Sequence, residues 1–421
     1  MVALLLGLMV FFLIFNFPMV IAMVAAPLAV MYNYMLNMDM AMASQQLIAG
    51  VSSTVLLSVP MFVLAADIMC AGQTTNRLLD LVETFVGHIH GGMAITTAAT
   101  CTIFGAISGS TQATVVAIGK PMRNKLLTLG YKDSASSALI ICSAIIALLI
   151  PPSISMIMYA VVTGSSVGDL FVAGVGPGIF MLVVFSIYSF FYAKSAKIPQ
   201  LKKATWGDRL AAFKKAILPL GFPVIIFAGI YSGKFSPTEA AAISVLYAFI
   251  LEFFIFRTIK IKDLYRICLS TAVTTSVVFI LVAGGQLFSW VISYAQIPQM
   301  LTSVILGTDP SAIRILITVT VFFFIGCMFV DSLVVIIILS PIFFPIAMQA
   351  GINPIHLGII VTLQAAIGSV SPPFGCNIFT GCAIFNKPYA EIVRGLPPYL
   401  IMLVIVSIVV ILFPQLSLFL L

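Results

Sequence analysis

Charged side chains are scarce in this sequence, with 20 Lys and Arg and 13 Asp and Glu among 421 residues, about 8%. A water-soluble globular chain carries roughly 25%, so this one cannot cover itself with a hydrated surface. That excludes an ordinary cytosolic enzyme and a coiled coil, and 62% hydrophobic residues exclude disorder. Histidine is scarcer still, at 3 residues. No HExxH is present for an intramembrane metalloprotease, and no GxxxxGK[ST] for ATP hydrolysis by the chain itself. Cys70, Cys101, Cys142, Cys268, Cys327, Cys376 and Cys382 include no CxxC pair and lie near no His cluster. A disulfide frame and a zinc site are therefore not expected, and the cysteines read as buried small hydrophobes. The N-terminus has no basic region and no small-residue cleavage pattern, so it is expected to be a retained span.

What is abundant is apolar sequence in long runs. A membrane-crossing helix needs about 20 predominantly apolar residues, and the runs between charged or turn-rich gaps supply roughly ten. The expected fold is an all-α polytopic membrane protein. Its first half, 1–194, holds scaffold spans in 1–71, a helical hairpin over 92–127, a helix over 134–163 broken at Pro151-Pro152, and a span over 168–193. The first two spans part at Asn16-Phe17-Pro18. A basic loop, 195–215, precedes the second half, 216–421. That half holds scaffold spans in 216–285, a hairpin over 312–349, a helix over 354–385 broken at Pro372-Pro373, and a span over 389–413. The hairpins are read as re-entrant, entering and leaving on one side, which leaves five crossings in each half.

Basic residues test this count, because cytoplasmic loops collect Lys and Arg. With the N-terminus outside, the inner gaps hold Arg77, Lys120, Arg123, Lys125, Lys132, Lys194, Lys197, Lys202, Lys203, Arg209, Lys214, Lys215, Arg257, Lys260, Lys262, Arg266, Lys387 and Arg394. Only Lys234 and Arg314 fall outside. The net charge of +7 is thus a topology signal and not a nucleic-acid patch. Both termini are expected on the outer side of the membrane. The basic loop reads as a topology anchor at the lipid bilayer surface.

The sequence also repeats itself at an offset of 221 residues: Gly105 matches Gly326, Gly130 matches Gly351, Pro151-Pro152 matches Pro372-Pro373, and Gly174 and Pro177 match Gly395 and Pro398. Near the start of each half the register drifts to 219, where Phe17-Pro18 faces Ser236-Pro237. Coincident Gly and Pro specify backbone. An odd number of crossings per half turns the second copy upside down, an inverted-topology repeat. Inverted repeats with paired broken helices mark secondary transporters. Unpaired backbone deep in a membrane is tolerated only inside protein or beside a watery cavity, where freed carbonyls and half-helix ends bind ions and anions.

Two tips and two breaks carry the candidate chemistry. The first tip runs Gly105 to Thr114 through Ser108, Gly109, Ser110 and Thr111, and its counterpart runs from Gly326 to Asp331 and Ser332. Small residues at one such tip could simply allow close helix packing; the repeated tip and the break that follows each copy favour binding. Asp331 is costly in an apolar stretch unless paired, hydrated or ion-bound. As a hard oxygen ligand it suits a small cation such as Na⁺; a proton-carrying carboxyl and a capping Asp stay open. The breaks hold Pro151, Pro152, Ser153 and Ser155, and Ser369, Ser371, Pro372, Pro373, Gly375 and Asn377. Paired prolines release carbonyls one turn back, and a mere kink needs no flanking hydroxyls. His88 and His90 are read as interface-facing, His356 as a hydrogen-bonded cap, and Asp67, Glu239 and Glu252 as salt-paired or hydrated near span ends.

FGAISGSTQATVVAIGKPM (104–122), GYKDSASSA (130–138), LIPPSISMIMYAV (149–161) and LFVAGVGPG (170–178) resemble the large membrane subunit of TRAP transporters, the tripartite ATP-independent periplasmic systems. The second half agrees through FVDSLVVIIILSPIFFPIAMQAGINPIHLGII (329–360) and IGSVSPPFGCNIF (367–379). The resemblance covers essentially the whole chain. It implies a small membrane subunit of about four spans, a soluble periplasmic receptor, coupling to a Na⁺ gradient with no organic cofactor, and an elevator-type transporter. Implied substrates are carboxylates such as C4-dicarboxylates and sialic acids. Mapped onto this chain, the resemblance puts substrate at Ser108, Ser110, Thr111, Ser155, Asp331, Ser332 and Asn377. Na⁺ falls where each tip meets its own half's break, at Gly109, Ser110, Thr114, Pro151 and Ser153, and at Gly326, Asp331, Ser371, Pro372 and Gly375. One departure is Ser371-Pro372-Pro373-Phe374, where many members have Thr-Pro-Pro-Val. No Arg stands near either tip, which leaves the substrate anion to Na⁺, hydroxyls and half-helix dipoles. The rival readings are a self-sufficient Na⁺ or H⁺ symporter of the same architecture and, further off, an intramembrane hydrolase or assembly scaffold.

Overall fold

The computed structural model describes residues 1–15, 17–35, 38–301 and 310–421. Asn16, at the expected parting of the first spans, lies outside them, as do parts of the expected outer gaps 33–46 and 286–311. Every regular element among the described residues is helical. In the first half these are α1 (Val2–Ile14), α2 (Met19–Tyr34), α3 (Ala41–Val51), α4 (Ser58–Ala71), α5 (Thr74–Val86), α6 (Gly92–Ser108), α7 (Thr111–Thr128), α8 (Asp133–Ala144), α9 (Ile154–Thr163) and α10 (Val167–Ser195). The second half continues with α11 (Trp206–Tyr231), α12 (Pro237–Phe249), α13 (Ile261–Tyr294), α14 (Ile297–Leu301), α15 (Ala312–Phe329), α16 (Ser332–Gln349), α17 (Pro354–Ser369), α18 (Cys376–Phe385), α19 (Tyr389–Val393), α20 (Pro397–Leu412) and α21 (Gln415–Leu418). Among the described residues 7 helices are long and apolar enough to cross a membrane, with shorter apolar helices between them.

The offset read from the sequence reappears in the backbone. Shifted by 221 residues, α7 falls on α16 end to end, and α6, α8 and α9 fall on α15, α17 and α18 within a residue at their starts or ends. Both Pro-Pro bonds are cis. The halves interlock: α12 packs on α4, α13 lies across α2, α3 and α4, α18 packs on α7, and α16 packs on α9. α1–α4 pack with α11–α13 in one group, and the hairpins, broken helices, α10 and α20 pack together in a second, with α4 on α6 and α13 on α16 joining them. The second group holds the more deeply buried residues: Ala138 to Ile150 and Leu357 to Val370 show almost no exposed surface.

Several boundaries differ from those drawn by charge. The run 47–71 is not one helix: Ser52 bonds back to the Ile48 carbonyl at 2.8 Å, Ser53 is extended, and a 3₁₀ turn, Thr54–Leu57, restarts the chain into α4. Helix begins at Trp206 inside the basic segment, where Thr205 and Asp208 cap each other's backbone N–H groups. α13 begins at Ile261, with Asp263 accepting from the Lys260 N–H at 3.1 Å. Charges mark where a helix leaves lipid and caps mark where it ends; in α11 and α13 the two lie far apart.

Four side-chain expectations also change. Glu239 is neither salt-paired nor merely hydrated but forms a capping box with Ser236. Glu252, fully buried in a π-helical segment after α12, caps the start of α5 by accepting from Gln73 N, Thr74 N and the Thr74 hydroxyl, and from Thr258 Oγ1. His356 is not the cap of its helix: Asn353 is, and the buried imidazole has no hydrogen-bond partner on either nitrogen. Cys268 is exposed, and Cys70, Cys376 and Cys382 are half-buried, so only three of the seven cysteines are buried in the core.

Candidate functional site

Each hairpin turns where its first limb ends. Gly109 follows α6 in the left-handed region, φ +59°, with its N–H on the Gly105 carbonyl at 2.9 Å. A Cβ there would stand 2.5 Å from the Pro152 carbonyl oxygen, so the first tip rests directly on the first break. Ser110 then caps α7, accepting from Ala113 N at 3.4 Å. Beneath the tip, Ser108 Oγ lies 3.1 Å from Thr114 Oγ1, which donates to the Ser110 carbonyl at 2.8 Å.

The second tip is made by the same logic with a different residue. Gly326 offers its carbonyl to Val330 N at 3.0 Å, and Asp331 caps α16, accepting from Leu333 N at 2.9 Å. Cys327 beside it packs against Gly368 of α17, and Phe329 lies 5.7 Å, centroid to centroid, from Phe374 of the second break. Both phenylalanines are exposed. Phe329 of the second tip thus lies against Phe374 of its own half's break.

The breaks start new helices in turn. Ser153 caps α9 through Met156 N at 3.4 Å. Gly375 stands at the cap of α18 with no side chain to bond its amides. Behind it, Ser371 Oγ donates to the Ile367 carbonyl at 2.7 Å, and Ser371 O accepts from Gly375 N at 3.0 Å. Pro151 and Pro372, each the first of its pair, bring no N–H to the turn before them.

The first turns of α7, α16, α9 and α18 converge on one open cavity of about 60 Å³. It is lined by Gly109, Ser110, Thr111 and Gln112 of the first hairpin, Asp331, Ser332 and Leu333 of the second, Leu148, Ile154 and Ser155 of the first break, and Cys376 of the second. The lining obeys the repeat: Ser110 pairs with Asp331, Thr111 with Ser332, Gln112 with Leu333, and Ser155 with Cys376. Ser155 is 1% exposed and its hydroxyl has no protein partner, so a polar atom stands ready in the wall. Four positive helix ends meet one carboxylate here, and no Lys or Arg lines the cavity.

Of the residues singled out from sequence, Gly109, Ser110, Thr111, Ser155, Asp331 and Ser332 therefore meet in the cavity. Ser108 and Thr114 support the first tip from below. Asn377 sits one layer behind the lining, fully buried, accepting from the Thr111 hydroxyl at 2.9 Å and donating to Ser369 Oγ at 3.4 Å. Pro151, Ser153, Gly326, Ser371, Pro372 and Gly375 lie outside the lining, on the side of the breaks and limb ends. Gln112, Leu333 and Cys376 were not singled out, although applying the 221-residue offset to Ser155 points to Cys376. Larger clefts exist elsewhere, such as one of about 620 Å³ lined by Asp80, Glu83, Asp208, Lys202 and Lys215, but no broken helix opens into it.

Comparison with known proteins gives a concordant result. The family model described as the tripartite ATP-independent periplasmic transporter, DctM component, matches residues 6–416. The chain is 52% identical to the ectoine TRAP transporter large permease protein TeaC of Halomonas elongata, covering 100% of this chain and 98% of that protein. It is 51% identical to the ectoine/5-hydroxyectoine TRAP transporter large permease protein UehC of Ruegeria pomeroyi, over 98% of this chain and 96% of that one. It is 34% identical to the sialic acid TRAP transporter large permease protein SiaM of Vibrio cholerae, over 90% and 88%. Among solved structures the YdaH transporter of Alcanivorax borkumensis shares the fold, with a TM-score of 0.61 and 13% identity over 88% of this chain and 87% of that one.

Proposed function

The chain belongs to the DctM family of large TRAP permease subunits, and from that membership we propose that it carries a small zwitterionic solute of the ectoine type into the cell, driven by Na⁺ and supplied by a periplasmic receptor. It is a polytopic membrane transport subunit and not an enzyme.

The observation that carries the choice of substrate is the charge inventory of the cavity. Four half-helix N-termini attract a carboxylate, while Asp331 attracts a cation, and no basic side chain lines the cavity. A dicarboxylate would bring two negative charges to a wall that already holds one. Ectoine brings one carboxylate and one delocalised ring cation, so each end finds an opposite partner and the net charge to be desolvated is near zero. The relatives at 52% and 51% identity are named for ectoine, which supports the same reading. At about 60 Å³ the cavity admits only a compact solute, and that with the tips somewhat apart.

Na⁺ fits the opposite ends of the same broken helices. The limbs α6 and α15 and the segments before each break end with carbonyls, the negative pole of a helix. Hydroxyls of Ser110, Thr114, Ser153 and Ser371 and the Asp331 carboxylate stand near those ends, an oxygen set suited to a hard cation. The tight seat of Gly109 on Pro152 supports a site between the first tip and its break. Transport would then proceed as an elevator, the hairpin-bearing body sliding against the α1–α4 and α11–α13 scaffold with a four-span small subunit bound to that scaffold. The N- and C-termini face the periplasm in this arrangement.

Uptake of radiolabelled ectoine into proteoliposomes tests the proposal, using this chain with its small subunit, with and without an inward Na⁺ gradient and with and without receptor. Accumulation that needs both gradient and receptor is expected. Accumulation without receptor would replace the three-part reading by a self-sufficient symporter, and indifference to Na⁺ would remove the cation from the tips.

A further inference from the structure

The cavity has a pseudo-twofold axis, and its asymmetry says how a two-ended ligand lies in it. At three pairs the repeat places chemically different residues: Ser110 against Asp331, Gln112 against Leu333, and Ser155 against Cys376. Two of these differences act in the same direction. A carboxylate on the ligand is repelled from Asp331 and gains nothing from Leu333, whereas the opposite side offers the Gln112 amide. Gln112 and Cys376, from opposite halves, line the same cavity, Cys376 at the start of α18. Of the four helix starts, α18 is the one whose cap residue has no side chain; its third amide, Ile378 N, donates to the Gly375 carbonyl at 2.9 Å. Asn377 in that same first turn is held by Thr111, which fixes the start of α18 against the Gln112 helix.

We propose that Gln112 is a specificity-determining residue of this cavity, its amide N–H groups taking the solute carboxylate beside the uncapped start of α18 while Asp331 takes the cationic end. The inference rests on the zwitterion reading above and adds the orientation and the residue that sets it. Neither Leu333 nor Ser110 can substitute for this pair from the symmetry-related positions, so the ligand has one favoured direction in an otherwise two-fold site. The Gln112 side chain is exposed at the cavity mouth and supports no buried packing, so its replacement does not threaten the fold.

Equilibrium binding to the purified large–small subunit complex tests it with two probes, ectoine and its carboxamide, which keeps the ring cation and loses the carboxylate charge. Gln112→Leu, which installs the residue of the symmetry mate, is expected to weaken ectoine about tenfold or more, the loss of a hydrogen bond to a charged group, and to leave the carboxamide within twofold. Gln112→Glu should weaken ectoine further and bind the carboxamide at least as well as the parent chain. Asp331→Asn, which retains a capping residue, should weaken both probes. Equal loss of both probes in Gln112→Leu, or no loss of either, overturns the proposal while ectoine binding by the parent chain still upholds the substrate reading. No ectoine binding by the parent chain overturns both.

Discussion

Gly109→Ala separates the seat of the first tip from every other effect of losing a glycine. Gly109 (φ +59°) and Gly164 (φ +71°) both end helices in the left-handed region, after α6 and α9. An alanine at either costs about 1–2 kcal/mol for that conformation, offset by about 0.4–1 kcal/mol through the stiffer unfolded chain. Their surroundings differ completely: nothing lies within 4 Å of a Cβ on Gly164, whereas a Cβ on Gly109 meets the Pro152 oxygen at 2.5 Å and the Pro152 carbon at 3.4 Å. The oxygen belongs to the backbone and cannot rotate away, so the tip must lift from the break. Binding constellations tolerate about 0.5 Å of misplacement, and the alanine has at least that far to retreat. Reconstituted Gly164→Ala should therefore transport within about twofold of the parent, whereas Gly109→Ala should lose at least about tenfold in uptake rate and require more Na⁺ for half-maximal rate. Size-exclusion profiles and melting temperatures of the two variants should be alike. Equal uptake by the two variants would refute the idea that contact between the tip and its break organises the site.

Two further outcomes concern the frame around the site. Glu252→Gln replaces one acceptor oxygen by a donor in a buried carboxylate that takes four hydrogen bonds from Gln73, Thr74 and Thr258; it should lower the stability of the detergent-solubilised protein by about 2 kcal/mol without changing the Km for ectoine. Asp133, the first residue of α8, is gripped by Arg123 Nε and Nη2 at 2.6 Å each, and Lys387 Nζ of the other half lies 3.0 Å away. The Arg123 guanidinium, and then Lys387, hold its carboxyl below the usual carboxylate range. A folded pKa below the unfolded one stabilises at neutral pH and is lost as pH falls through the lowered value. Asp133→Asn should accordingly cost about 1 kcal/mol at neutral pH and flatten the acid side of a melting-temperature profile; an unchanged profile would deny the cluster any part in joining the halves.

The parts of this architecture that were legible in the sequence are those where one residue type dictates backbone. Pro151-Pro152 and Pro372-Pro373 remove donors wherever they stand, so both breaks could be located without coordinates, and the 221-residue spacing carried α7 onto α16. Asp331 was visible because a carboxylate in an apolar run needs a reason. Gln112 and Cys376 were not, because an amide or a thiol at a helix start has no local signature and its meaning comes from what faces it. The contact of Thr111 with Asn377 was equally hidden: the offset pairs Asn377 with Met156, which can make no such bond, so the repeat that reveals the fold conceals the place where the halves differ. His356 was misjudged for a related reason, since the adjacent Asn353 satisfies the same amides with a shorter side chain.

The polarity of a broken helix explains why a cation and a zwitterion would be bound so close together. Cutting a helix in the membrane interior creates a negative end and a positive end a few residues apart, neither hydrated. The first tip and first break do this together, since α6 ends where α7 begins and α8 leads through the break to α9. In the proposed arrangement, a cation among the ends of α6 and α8 would neutralise carbonyls that otherwise repel one another across the Gly109–Pro152 contact. The starts of α7 and α9, and with them Thr111 and Ser155, stand at the cavity wall beside that contact. On the proposed reading, solute binding would then depend on cation binding through a shared backbone, with no side chain needed to carry the message. The second half repeats the device with Asp331 in place of Ser110, so on the proposed reading the cation and the solute's positive end would draw on one carboxylate there. That makes the two copies of the device unequal in chemistry while they remain equal in backbone.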